Sequence, residues 1–174
     1  MFHIAPTKES TRGPLLLLSG MFSEAADWVR QSDTAADDDK TVAVKLAEEG
    51  FDVWIGVQRG RPGSDTHATL DMNDPTDKAK YWDYSFDEIG RQDIQAMVDE
   101  IVEQRAGDCK KVTLVTHSTA ANASLVGLSD PESVLSQKVG SVVNLAPCLG
   151  INVNNFWMTE RDLPSIEALY GALR

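Results

Sequence analysis

The chain has 174 residues, 42% hydrophobic and 25% charged, with 27 acidic against 16 basic side chains and a formal net charge of -11. That length and balance fit one ordered domain with its own core and exclude wholesale disorder. The acidic excess opposes binding to phosphate backbones or anionic lipid headgroups, which depends on Lys and Arg, so nucleic acid is not expected as a partner.

In chain order, the opening MFHIAPTKESTRG lacks the apolar core of a secretory signal, and LLLL at 15–18 is too short to supply one. No run approaches the ~20 apolar residues of a membrane-spanning helix, so an intracellular protein without a membrane span is expected. The first strand is expected at Pro14–Leu18. The acidic run DTAADDDK at 33–40 reads as a solvated loop and the first turn of a helix, where carboxylates favour the dipole. Asp37, Asp38 and Asp39 diverge around that helix and lack EF-hand spacing, so no metal is expected there. The helix itself is expected over 38–49, with Val42, Ala43 and Leu46 on one side and Gly50 as its stop. A second strand, FDVWIG, follows at 51–56.

Ser85 and Glu88 make a capping box, and Ile94, Met97, Val98 and Ile101 then recur at helical spacing. A third strand is expected at 111–115, then a tight turn with Ser118 at its tip and a further helix. The stretch 128–138, with Asp130-Pro131, reads as a loop and short helix before a fourth strand at Val139–Leu145. Residues 1–150 form the expected domain, and 151–174 an extension of loops and a short helix. Cys109 precedes the third strand and Cys148 follows the fourth. In parallel strands that sets the thiols well over ~15 Å apart, too far for a bridge.

Strands alternating with helices imply an α/β fold, a mostly parallel sheet with helices on both faces and its strands buried on both sides. The first strand is expected between the second and third, with the fourth outside the third. Function in such sheets gathers at the carboxyl ends of the strands. Those ends here carry Ser19-Gly20-Met21, Arg59-Gly60 and Thr116 to Ala120.

The segments GPLLLLSGMFSEAADWV, LAEEGFDVWIGVQRG, YWDYSFDEIGRQDIQAMVDEIV, KVTLVTHSTA and VVNLAPC, in this order, resemble the acid lipases. These are the α/β-hydrolases that include gastric and lysosomal lipases and steryl ester hydrolases. The resemblance covers 13–150 and corresponds to the N-terminal half or so of the family's catalytic domain. It implies a partial α/β-hydrolase fold, a lipid or other ester as ligand, and no cofactor or metal. It gives Ser118 the nucleophile's place, and the backbone N–H groups of Thr119 and Met21 the oxyanion donors' places.

Several positions depart from the family's pattern. The elbow reads T-H-S-T-A rather than G-x-S-x-G; Ala120 is small enough, but β-branched Thr116 is expected to strain or relax the turn. Ser19 stands where the family carries the histidine of His-Gly-Leu. In the family Asp and then His follow the serine, and the only histidines here are His3, His67 and His117. His117 is expected to point away from the reacting centre, and His67 to be structural.

Ser118 reads more simply as a helix N-cap than as a working nucleophile, and Arg59 as a residue that holds a loop. Trp28, Trp54 and Trp82 read as packing. Phe156 and Trp157 read equally as a buried cluster or as a face for a partner or acyl chain. The expectation is therefore a catalytically incomplete chain acting as a noncatalytic subunit or scaffold. The alternative is an active serine ester hydrolase whose Asp and His come from a second chain or a missing C-terminal half. Either way the outer edge of the fourth strand lacks its next strand, and a protein partner is expected to cover the region 142–157.

Overall fold

Each of the four apolar runs forms a strand, and all four lie in one sheet. The computed structural model describes residues 1–8, 12–21, 23–31, 41–105 and 111–147. Strands β1 (Phe2–Ile4), β2 (Pro14–Leu18), β3 (Asp52–Gly56), β4 (Val112–His117) and β5 (Val139–Leu145) follow the spatial order β1-β3-β2-β4-β5. β3, β2, β4 and β5 run parallel, with β2 between β3 and β4 and β5 outside β4, as the sequence implies. The addition is β1, which pairs antiparallel with β3. The sheet is thus mostly parallel, and its helices occupy both faces.

Those helices are α1 (Val42–Glu48), α2 (Pro75–Tyr81), α3 (Phe86–Glu88), α4 (Gln95–Gln104), α5 (Thr119–Gly127) and α6 (Val134–Lys138). A π-helical turn, Ile89–Ile94, joins α3 to α4. β2 lies at the centre, and its leucines alternate between the two faces. Leu16 and Leu18 pack with Ile94, Val98, Ile101 and Leu114 on one side. Leu15 and Leu17 pack with Ala43, Ala47, Val53 and Ile55 on the other. A fully buried leucine contributes ~1.5–3 kcal/mol, so this one strand anchors both layers.

Three local expectations are corrected. α1 begins at Val42, and Val42 itself is 54% exposed, whereas Ala43 and Ala47 are buried. Small residues four apart let the helix approach the sheet closely, with Leu46 packed half-buried beside them. Gly50 does end the segment, at φ +88°. β5 is not buried on both faces: Val143 is 46% and Leu145 41% exposed, because no described element covers its outer side. The expected helix after Ser85 starts at its capping box, but the π-helical turn interrupts its regular period.

The N-terminal end of β3 holds a polar cluster. Asp52, 4% exposed, receives His3 Nε2 at 2.6 Å, Arg105 Nη1 at 2.6 Å and Trp54 Nε1 at 3.0 Å. His3 stacks on Trp54 with ring centroids 4.2 Å apart, fastening β1 to β3. Burial pushes the Asp52 carboxyl up, but the hydrogen bonds from His3, Trp54 and Arg105, with the His3 charge, outweigh it and hold it below the usual range.

The acidic run 33–40, Cys109, Cys148, Phe156, Trp157 and the extension 151–174 lie outside the described residues. Among the described residues, no helix is long and apolar enough to cross a membrane.

Candidate active site

β4 ends at His117, and the chain reverses within one residue into α5. That residue is Ser118, at φ 54° and ψ -120°. Positive φ on a residue with a side chain costs about 1–3 kcal/mol and persists only where the surroundings enforce it. Here they do. Ser118 N donates to Leu145 O at 2.9 Å, tying the turn to the end of β5, and Ala121 N donates to Ser118 O at 3.0 Å. Thr116 does not relax the turn, since Ser118 keeps its positive φ beside it. It is fully buried, and its Oγ1 donates to Asn144 Oδ1 at 2.6 Å, so the β-branched side chain becomes a link between β4 and β5. Ala120 and Ala121 are also buried, and such small side chains let α5 start against the sheet.

Ser118 occupies the N-cap position of α5, but its side chain makes no capping hydrogen bond. The N-cap position is thus as the sequence implies, but the backbone conformation is that of a strained elbow, in which the hydroxyl makes no capping bond.

The loop after β2 runs directly against this elbow. A Cβ built on Gly20 would stand 2.6 Å from Ser118 Cβ and 3.1 Å from His117 Nδ1, so only glycine fits. His117 thus sets its ring against the same loop. Ser19 Oγ donates to Glu24 O at 2.9 Å, and Ser23 N to Gly20 O at 3.2 Å, closing the loop from inside. Arg61 Nη1 also donates to the loop, to Met21 O at 2.6 Å and to Ser23 O at 3.0 Å.

A cavity of about 250 Å³ opens beside the elbow. Met21 and Thr119 both line it, together with Tyr84, Phe86, Ile89 and Gln58. Gln58 is 4% exposed, and its amide Nε2 has no hydrogen-bond partner. Ile89 and Phe86 come from the junction of α3 with the π-helical turn. That turn crosses α5 at Gly90, where a side chain would collide with the Ala123 carbonyl.

Arg59 holds the next loop, as its position implies. Its Nε and Nη2 donate to Asp93 Oδ1 at 2.7 and 2.6 Å, and its backbone N donates to Asp93 Oδ2 at 2.9 Å. Burial lowers the guanidinium's affinity for its proton, but the bonds to Asp93 and the nearby negative charge outweigh that and raise it. His67 Nδ1 accepts from the backbone N of Thr69 and of Leu70, both at 3.2 Å, which gives it a loop-shaping place. Trp28 and Trp54 pack against the buried core, and Trp82 lies between Tyr81 and Tyr84.

Sequence reasoning singles out Ser118, Thr119 and Met21. It misses Arg61, Asn144, Gln58 and the cavity wall, whose proximity arises only when β3, β5 and the π-helical turn converge. The RGR triplet at 59–61 carries a second arginine as a signal.

No family model matches the chain. It is 33% identical over 141 residues to mouse lipase member M, covering 80% of this chain and 30% of that protein. It is 31% identical over 156 residues to rat lysosomal acid lipase/cholesteryl ester hydrolase, covering 87% of this chain and 36% of the relative. Human lipase member K is 27% identical over 170 residues, covering 95% and 39% respectively. The chain therefore spans about a third of the length of these relatives. Among solved structures, a mature Bacillus licheniformis lipase superposes with a TM-score of 0.52 at 17% identity, covering 84% of this chain and 46% of the lipase.

Proposed function

We propose that this chain, related over most of its length to acid lipases and built on the α/β-hydrolase fold, carries the nucleophile side of a serine ester hydrolase acting on lipid esters. In this reading Ser118 Oγ attacks the ester carbonyl, and the N–H groups of Thr119 and Met21 receive the oxyanion. A histidine from outside these 174 residues takes the serine proton, oriented by a carboxylate. The observation that carries the reading is the backbone of Ser118, at φ 54° and ψ -120° with a hydroxyl not committed to capping. A retained strain of that kind has a use when the hydroxyl must stand clear of strand and helix. The cavity supports an acyl group as ligand: ~150 Å³ accommodates a benzene-sized molecule, and the space beside Thr119 is about 250 Å³.

The exposed side of β5 belongs to the same proposal. Val143 and Leu145 lie open at the sheet's edge. Further strands, from a longer chain or a second polypeptide, pair there and bring the histidine and carboxylate with them. A noncatalytic subunit is the competing reading.

Fluorophosphonate labelling of the protein in its native source, followed by intact mass, separates the two. Stoichiometric adduct on Ser118, absent from the 174-residue chain by itself, is the expected result. A native form that never labels, with its partners present, would leave the noncatalytic role.

A further inference from the structure

We propose that Arg61 is a positioning residue for the oxyanion loop; this rests on the hydrolase reading above. The described residues of the loop from Ser19 to Glu24 lie in no helix or strand, yet Met21 must present its N–H to an oxygen bound on Ser118. Positional error of ~1 Å in such a group can cost 10²-fold in rate, and a short loop does not hold that tolerance unaided. Arg61 supplies the constraint. It is only 8% exposed, and one of its nitrogens donates to the carbonyls of both Met21 and Ser23. Bonds from a charged donor are roughly twice as strong as neutral ones, and at a buried site they do not compete with bulk water. With both carbonyls bonded to Arg61, which also lines the cavity beside Thr119, the loop is fixed at two points while Gly20 lies within contact of the elbow.

Arg61 is itself seated on a rigid support. Gly60 takes φ +74°, Gly60 N donates to Ser64 O at 2.9 Å, and Ser64 N donates to Arg61 O at 2.7 Å. Tyr81 closes this turn from α2, accepting from Gly60 N and donating to Ser64 O, both at 2.9 Å. Burial raises the Tyr81 phenol above its ordinary range, so it keeps the proton that the second bond requires. A continuous line of hydrogen bonds therefore runs from α2 through Arg61 to Met21.

Two measurements test this, and one needs no reactive serine. In hydrogen exchange on the full chain, Arg61→Gln should speed exchange in residues 19–24 by ~10-fold while β4 keeps its protection. Unchanged exchange there overturns the clamp whether or not Ser118 reacts. In the native form that labels, Arg61→Gln should slow fluorophosphonate reaction by ~10- to 100-fold, with the probe's dissociation constant unchanged. Arg61→Lys, which keeps the charge but loses the fork, should fall between, and methylguanidinium should restore part of the rate to Arg61→Ala. Wild-type rates in Arg61→Gln, or loss of rate that guanidinium does not rescue, overturn the role. If wild type itself does not label, the hydrolase reading fails, and hydrogen exchange alone then judges the clamp.

Discussion

The two ends of the sheet handle polar groups in opposite ways. At the N-terminal end of β3 both Asp52 oxygens are bonded, with His3 on one and with Arg105 and Trp54 on the other. At the carboxyl ends, a serine is held in a costly conformation, its hydroxyl caps no helix, and the loop beside it is bonded to Arg61. The first arrangement converts side-chain chemistry into stability. The second leaves a serine in a costly backbone conformation while its side chain makes no capping bond. The difference teaches where to look for function: bonded clusters fasten elements together, whereas a strained residue whose side chain does not close its helix is the place to test for a site.

Substitutions at both ends can break this contrast. The largest effect is expected at Ser118. Ser118→Ala should abolish fluorophosphonate labelling of the native form, while Ser118→Gly, which relieves the positive φ, should raise unfolding free energy by about 1 kcal/mol in urea titration. A serine whose removal costs stability instead would put the elbow on the structural side of the comparison.

Next comes Asp52→Ala, expected to lose about 1.5–3 kcal/mol because it removes the acceptor of the charge-assisted bonds from His3 and Arg105, with labelling of Ser118 unaffected. The same residue predicts a pH dependence. Its folded pKa is depressed, so its contribution is present above the unfolded carboxyl value near 3.8 and fades as pH falls through the lower folded value. Unfolding followed from neutral to acid pH should show a loss in wild type that Asp52→Asn lacks. Equal acid sensitivity in the two proteins would assign the loss to other carboxylates.

Gly20→Ala should then separate packing from chemistry at the other end. Its Cβ must displace either the loop or Ser118, which lies 2.6 Å away, so labelling should fall by ~100-fold while thermal unfolding shifts by only a few degrees. Unaltered labelling would show that the loop can retreat without consequence. The smallest effect is expected at Gln58→Leu. Removing a buried donor without a partner should leave stability within ~1 kcal/mol of wild type or improve it. A clear rise in the dissociation constant of a short-chain ester analogue would make Gln58 a ligand contact.

Much of the fold was legible because each strand is a short apolar run and burial alone dictates where it goes. Pro14–Leu18, with four consecutive leucines, has no polar face to show to water and so belongs at the centre. Phe2–Ile4 was not legible: three residues with a histidine in the middle become a strand only because Asp52 and Trp54 wait for His3. The serine's place was readable from strand, turn and helix. The accommodation of Thr116 was not, since its partner Asn144 lies 28 residues further on and reaches it only through the pairing of β4 with β5. Arg61 escaped for the same reason: its bonds go to Met21 and Ser23, 40 and 38 residues earlier.

The π-helical turn at Ile89–Ile94 carries a consequence for how this chain tolerates change in length. A π turn holds one residue more than the α-helical turn it replaces, and each helical residue represents 100° of rotation and 1.5 Å of advance. Deleting one residue there would return the segment to a continuous helix. α4 would stay seated on the sheet through Met97, Val98 and Ile101, so the rotation would fall on everything N-terminal to the turn. Phe86 and Tyr84 would swing about 100°, a little over a quarter of a revolution, away from Thr119. Cavity shape in this molecule is therefore a matter of phase: a one-residue deletion that keeps the composition of the wall would still dismantle it.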